Sequence, residues 1–258
     1  MVVPTRAWAL ERNDRRVDFA AGPAATMFAE SGPAGVALHR HPAWKVVLPL
    51  GGHVEVAHGA GRTVAAAGLV VPPQLAHTCA VSSGYAAVFL DPWVLLPGPG
   101  LTRLDESATR RVLAALHHPG DHGPGAEGDL AAARSELLNL IGAGRPLDPR
   151  VAHAVRESTR AGSGAAIASI AADVGLSPPR LRALVHASIG IPLTRLRQWA
   201  RLRAAVADLP GESVATAAAT AGFADQAHLT RTARTLVGRT PASIARSGLR
   251  TGVSAGDR

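Results

Sequence analysis

Between residues 166 and 246 of this 258-residue chain one pattern occurs twice, and it restricts the fold more than any other feature. Each copy is a short Ala-rich segment, a turn with one Gly, and a second segment carrying arginines. The first copy runs through Ile170, Ala171, Gly175, Ser177, Arg180, Leu181 and Arg182. The second runs through Val214, Ala218, Gly222, Asp225, His228, Leu229, Arg231 and Arg234. Helix, Gly turn and basic helix is the outline of a helix-turn-helix, whose second helix enters the DNA major groove. Gly175 and Gly222 fall where a helix ends in left-handed backbone. Ser177 stands as an N-cap before Pro178 at the first helical position. Ala224 cannot cap, so Asp225 is expected to take that task one residue later. Small Ala171 and Ala218 let the helices of each pair cross closely.

Between the copies, Leu193, Leu196, Trp199, Leu202, Val206 and Leu209 recur in steps of three and four. That spacing predicts one amphipathic helix over residues 192–209. A rigid helix of this length would hold two recognition helices for successive major-groove turns, roughly 34 Å apart.

These residues resemble the DNA-binding domain of the AraC/XylS transcriptional regulators. The matching features are Gly175-Leu-Ser177-Pro with Leu181, Gly190-Ile-Pro192, Gly222-Phe223 with Asp225-Gln226, and Gly238 with Thr240-Pro241. The resemblance covers about the last hundred residues. It departs at Val185, Ala233, Val237 and Ile244, where the family usually has aromatic residues. It implies that Arg180 and Arg182 of the first unit, and Gln226, His228, Thr230, Arg231 and Arg234 of the second, lie nearest DNA. Arginine bonds guanine bidentately, and Arg231 is the residue expected to specify a base. Thr230, Arg234 and Arg239 are expected at phosphates, and His228 either at DNA or packed at the turn.

Charge follows the same division. Residues 145–258 hold 16 Lys and Arg against 7 Asp and Glu, whereas residues 1–144 hold 11 against 12. A basic excess confined to the half with the motifs points to a polyanionic partner, double-stranded DNA.

The N-terminal part follows another pattern. From about residue 26 to 91, short apolar runs alternate with Gly and Pro breaks, which predicts the strands of a β-sandwich or barrel. His39 and His41 stand two apart in the first half of this region, which points both side chains to one face of a strand, and His77 arrives from another strand in the second half. With Gly52, Gly68 and Pro72 they resemble the two motifs of the cupins, small jelly-roll barrels. Lys45 stands where that family has a metal-binding Glu, and Gln74 where it has a Gly. Three imidazoles would hold Zn²⁺ or a similar transition ion. Against this, Lys45 puts a cation where an anionic ligand belongs, and with Trp44 it would suit an anionic effector instead. Cys79 is read as a small buried hydrophobe.

Two apolar-striped helices are expected at residues 101–117 and 129–141, separated by a loop that begins at His118, with His117, His118 and His122 on the surface. The helices resemble dimerisation helices of the family, or else they pack on their own barrel. Residues 142–147 read as a linker, and Pro149 opens the next helix.

The expected fold is therefore α+β in two domains: a cupin-like barrel over 1–96, a helical connector over 97–147, and an all-α tandem helix-turn-helix domain over 148–248. One cysteine precludes an internal disulfide, and neither a membrane-length apolar run nor a signal-peptide pattern occurs, so a cytoplasmic protein is expected. The expected function is a sequence-specific transcriptional regulator, not an enzyme. Its barrel would sense a small effector or a metal, and its partners would be DNA, a second copy and RNA polymerase. Two alternatives stand beside it: a cupin metalloenzyme with a fused helical domain, and a DNA-binding protein whose barrel binds no ligand and only dimerises.

Overall fold

The computed structural model describes residues 6–12, 15–23, 25–96, 98, 100–116, 129–160 and 165–246. The loop expected at residues 118–128, and His117, His118 and His122, lie outside them.

The chain opens with a hairpin, β1 (Arg6–Arg12) and β2 (Arg15–Ala21). The sequence reading missed it, because its alternation is interrupted by charge on both strands. There follow β3 (Thr26–Glu30), β4 (Ala34–His39), β5 (Trp44–Pro49), β6 (Val54–His58), β7 (Arg62–Ala66), β8 (Gly68–Val71), β9 (His77–Val81) and β10 (Tyr85–Leu90). One antiparallel sheet has the order β1-β2-β3-β10-β5-β8-β11, where β11 is Thr102–Leu104, and a second has the order β4-β9-β6-β7.

The strand β11 (Thr102–Leu104) replaces the start of the helix expected at residue 101, pairing with β8. Helix α1 (Glu106–Leu116) starts later because Asp105 Oδ1 accepts from the Ala108 amide at 2.7 Å and so caps it there. Helix α2 (Leu130–Ile141) starts after Asp129, whose side chain accepts from Ala132.

Both helices pack on the outer face of the larger sheet. Val112, Leu116, Leu130 and Leu137 meet Val46, Leu48, Val88 and Leu90 there. This is why β5 and β10 are buried on both faces and read as continuous apolar runs. The supposed linker is stitched down as well: Leu96 donates to Gly142 O and Gly144 donates to Val94 O.

The helical domain comprises α3 (Pro149–Thr159), α4 (Ile167–Asp173), α5 (Pro178–Ile189), α6 (Leu193–Asp208), α7 (Val214–Thr220), α8 (Gln226–Val237) and α9 (Pro241–Arg246). Gly175 and Gly222 take φ of +65° and +76°, the left-handed turn each motif requires. Helix α6 has all six predicted apolar residues on its buried side or at its end. Its first turns, through Leu193 and Leu196, belong to a core with Ile170, Ala171, Leu181 and Val185. Its later turns, through Trp199, Leu202 and Val206, join Ala218, Phe223, Leu229 and Leu236. This second core is continuous with the barrel interior through Phe19, Phe89 and their neighbours.

Candidate effector and DNA-binding sites

The three histidines converge inside the barrel. His39 ends β4, His77 begins β9, and the two are register partners. His41 lies in the turn before β5 and not on the strand with His39. The turn is held by the Gln74 amide, which donates to His41 O at 2.9 Å. Gln74 has φ +64°, left-handed backbone at a position that is not glycine. All three side chains are buried, and one nitrogen from each lies within 4.8 Å of the other two.

The tautomers follow from the hydrogen bonds. Nδ1 of His39 donates to Ala37 O at 2.8 Å, that of His41 to Ala43 O at 2.6 Å, and that of His77 to Leu75 O at 2.9 Å. Each Nε2 is then left with a lone pair. Those of His41 and His77 have no partner although they are buried. Carbonyl-anchored imidazoles with free Nε2 atoms are what a metal site needs before the metal arrives.

Burial pushes all three imidazoles below their usual range, helped by the Lys45 charge, and His77 falls to about 3. They are therefore neutral at physiological pH, the form that ligates. Lys45 Nζ lies 3.4 Å from His39 Nε2 and donates to it. Burial lowers the Lys45 pKa, and Arg239 lowers it further. The residues present fit a metal in their donors. The ammonium of Lys45 already occupies one lone pair that a metal would use.

Trp44, placed by sequence beside Lys45, is not in this site. Successive strand residues face opposite ways. Trp44 lies on the outer side of β5, among the residues under α1 and α2, and donates from its indole to Pro92 O.

A second candidate lies between the domains. Phe19, Phe28 and Phe89 of the barrel face Trp199, Leu202 and Val206 of α6 across a small cleft that Val237 and Arg239 also line. Arg203 lies at its wall, donating to Thr26 Oγ1 at 3.3 Å and stacked over Trp199. Among the described residues no carboxylate forms an ion pair with it.

The DNA-facing residues fall into two groups. Arg180 and Arg182 are exposed on α5. Gln226, Arg231 and Arg234 are exposed on α8, and Thr230 is half-buried. His228 is held at the turn: its Nδ1 accepts from the Ala224 amide, and its ring stands edge-on to Phe223 at 5.2 Å.

Arg239 is not where the sequence reading put it. It donates to Glu30 Oε1 at 2.6 Å and to Oε2 at 2.9 Å, forming a bidentate pair between the domains. Glu30 is fully buried and also accepts from Tyr85 and Arg15. Tying up this arginine removes it from any phosphate. Nothing local to either residue announces the pair, since 209 positions separate them.

A barrel that gathers three histidines, joined to a helical domain with two Gly-turn helix pairs, defines a two-domain protein with an AraC-type DNA-binding domain at its C-terminal end. Comparisons with known proteins agree. Residues 150–247 match a family model described as a helix-turn-helix domain. No curated protein sequence is significantly similar to the chain.

Among solved structures the whole chain resembles ToxT from Vibrio cholerae at 8% identity and a TM-score of 0.55, covering 97% of this chain and 100% of that one. It also resembles ToxT bound to an unsaturated fatty acid, at 11% identity and a TM-score of 0.54, over 98% and 97% of the two chains. A third similar structure is ToxT bound to (E)-4-(8-methylnaphthalen-1-yl)but-3-enoic acid, at 9% identity and a TM-score of 0.54, over 96% and 99%. At such identities the likeness is one of fold. No helix among the described residues is long and apolar enough to cross a membrane.

Proposed function

We propose that the protein is a sequence-specific DNA-binding transcriptional regulator, not an enzyme, whose barrel senses a ligand and passes its state to the helical domain. The observation that carries this reading is the pair of arginine-bearing helices, α5 and α8, held at opposite ends of the single helix α6. Arg180, Arg182, Gln226, His228, Thr230, Arg231 and Arg234 are the DNA-contacting residues on this reading. The protein acts in the cytoplasm as a homodimer that contacts RNA polymerase. Helices α1 and α2 bury their apolar stripes on their own barrel, so dimer contacts would use their outer faces. The domain limits on this reading are 1–96, 97–147 and 148–248, with β11 of the connector adding a strand to the first domain's larger sheet.

The test is selection of duplexes from a random-sequence pool, followed by binding of the selected duplex to wild-type and Arg231→Ala protein. A consensus that loses preference at one half-site in the variant supports the reading. Recovery of no consensus, with affinity set by salt alone, would overturn it.

The ligand sensed at the triad is a divalent transition metal, held by Nε2 of His39, His41 and His77 with Zn²⁺ as the first candidate. The two orphaned Nε2 atoms support this. The metal would supply positive charge and fixed ligand geometry, and the Nδ1 bonds to carbonyls would hold the rings ready for it. Metal content of the purified, untagged protein tests it: about one equivalent, lost in a His39→Ala/His77→Ala variant, is expected.

A separate observation favours a second ligand. The aromatic cleft with Arg203 at its wall suits an apolar carboxylic acid, and ToxT, similar in fold, has been seen with two such acids. A rise in melting temperature with oleate that Arg203→Gln abolishes would support this second site.

A further inference from the structure

We infer that metal binding at the triad controls DNA affinity through the second helix-turn-helix unit, and that His39 is the joint. This rests on the metal reading above and adds what the metal does.

The geometry begins with a break in β4. Its register with β9 shifts between Val36 and His39, so residues 37 and 38 leave the ladder. A bulge of this kind re-aims the strand and frees its backbone for other partners. Here the partner is the C-terminal end of the recognition helix α8. Gly238, the left-handed C-cap at φ +69°, sits against the break. A Cβ added there would stand 2.5 Å from Ala37 O, 2.6 Å from Val36 Cγ1 and 3.0 Å from His39 Nδ1. Only glycine permits so close a seat.

The His39 ring thus spans two sites. Its Nδ1 edge meets Ala37 O and the end of α8, and its Nε2 meets Lys45 and the triad. The next residue extends the joint. The Arg40 amide donates to Thr235 O of α8 at 2.9 Å, and Arg40 O accepts from Arg195 of α6 at 3.1 Å. A second path runs from His41 edge-on to Phe89 at 5.7 Å, and from Phe89 to Trp199 of α6 at 5.2 Å. Two of the three ligands therefore reach a helix that positions DNA contacts, directly or through one neighbour.

A metal takes His39 Nε2 from Lys45 and fixes the ring against two other imidazoles. The strand break that seats α8 includes Ala37 O, the carbonyl that anchors that ring. The metal-loaded and metal-free barrels thus hold α8 differently, and the difference is a coupling free energy between metal and DNA.

The experiment uses the full chain, Zn²⁺ alone as ligand, and a duplex selected by the metal-free protein. Zn²⁺ is expected to change the duplex Kd by about fivefold or more in either direction, reversibly on chelation. Linkage demands that the duplex change the Zn²⁺ affinity by the same factor. His77→Ala should lose both Zn²⁺ and the shift. Arg195→Gln, which removes one tie of the joint away from the three histidines, should keep Zn²⁺ and shrink the shift. Gly238→Ala, whose Cβ would crowd both Ala37 O and His39 Nδ1, should alter the shift and the Zn²⁺ affinity together.

One equivalent of bound Zn²⁺ with an unchanged Kd in wild type would overturn the coupling and leave the metal site standing. No bound Zn²⁺ would overturn the metal reading and this inference with it. A full shift in both Gly238→Ala and Arg195→Gln would overturn the route through His39 and Arg40.

Discussion

The first helix-turn-helix unit closes its own core around Ile170, Leu181 and Val185, whereas the second shares one core with the barrel through Trp199, Leu229 and Leu236. The motifs are alike in sequence and differ in what surrounds them. Against the first unit the barrel side offers Trp93 at the core's edge, and Arg195 ties the start of α6 to Arg40. The second is fixed by the Glu30–Arg239 pair, the seat of Gly238 on β4, and the bond from Trp8 to Val206 O. On the proposed coupling a barrel ligand would act on the second unit, and could reach the first only through α6, the one helix among the described residues that belongs to both cores.

The largest test of this difference is the buried ion pair. Removing Arg239 leaves the buried Glu30 carboxylate with only the longer contact to Arg15 and the Tyr85 hydroxyl, at a cost of up to about 3–5 kcal/mol. Arg239→Ala is expected to lose about that much local stability, read by hydrogen exchange, across β3, β10 and α8. Protection in α5 should stay as in wild type. Equal loss in α5 and α8 would show that the two units are held in the same way.

Next in size are two matched core truncations. Leu181 and Leu229 are both fully buried and occupy equivalent positions in their motifs. Each Leu→Ala change should cost about 2–5 kcal/mol. The spread of the damage distinguishes them. Leu229→Ala should raise exchange in the barrel strands whose core it shares, and Leu181→Ala should leave those strands unchanged.

How much of this was legible in the sequence depends on range. The two units and α6 could be read because each rests on local spacing, glycines at turns and apolar residues at helical period, whereas the histidine triad could be read only through the resemblance to cupin motifs, since His41 is not on the strand with His39 and His77 comes from β9. The strands could be read from their breaks, and the three histidines converge although Lys45 stands beside them. The misplaced residues are of two kinds, one that a local rule separates and one whose partner is far along the chain. Trp44 was grouped with Lys45 as its neighbour, yet strand alternation alone sends the two to opposite faces. Arg239 looked like a phosphate contact because it follows α8 in a basic region, and its partner is 209 residues away. The aromatic cleft combines β2, β3, β10 and α6, so no stretch of chain contains it. Gly238 was visible as part of a signature, but the strand break it fits was not.

On DNA the comparison becomes one of half-sites. Arg182→Ala and Arg231→Ala should each lose about 1–3 kcal/mol of base discrimination, at different half-sites. If α8 alone is controlled by the barrel, a barrel ligand should alter the half-site read by Arg231 and spare the one read by Arg182. Footprints of the two variants with and without Zn²⁺ check this, and equal changes at both half-sites would mean that the whole helical domain moves as one body.

The smallest effect separates the two units at their turns. In the second, Asp225 is an extended N-cap whose Oδ1 accepts from the His228 amide at 2.6 Å. In the first, Ser177 holds the same extended backbone, but its hydroxyl makes no capping bond. Pro178 follows at the first helical position with no N–H to satisfy, so α5 starts from fixed backbone geometry. Loss of a working cap costs about 1 kcal/mol. Asp225→Ala should lose about that much in α8, while Ser177→Ala should change α5 by a few tenths at most. The second recognition helix then depends on a side-chain cap at one end and a barrel seat at the other. If the two variants lose equal stability, the serine caps in solution and the two turns are equivalent.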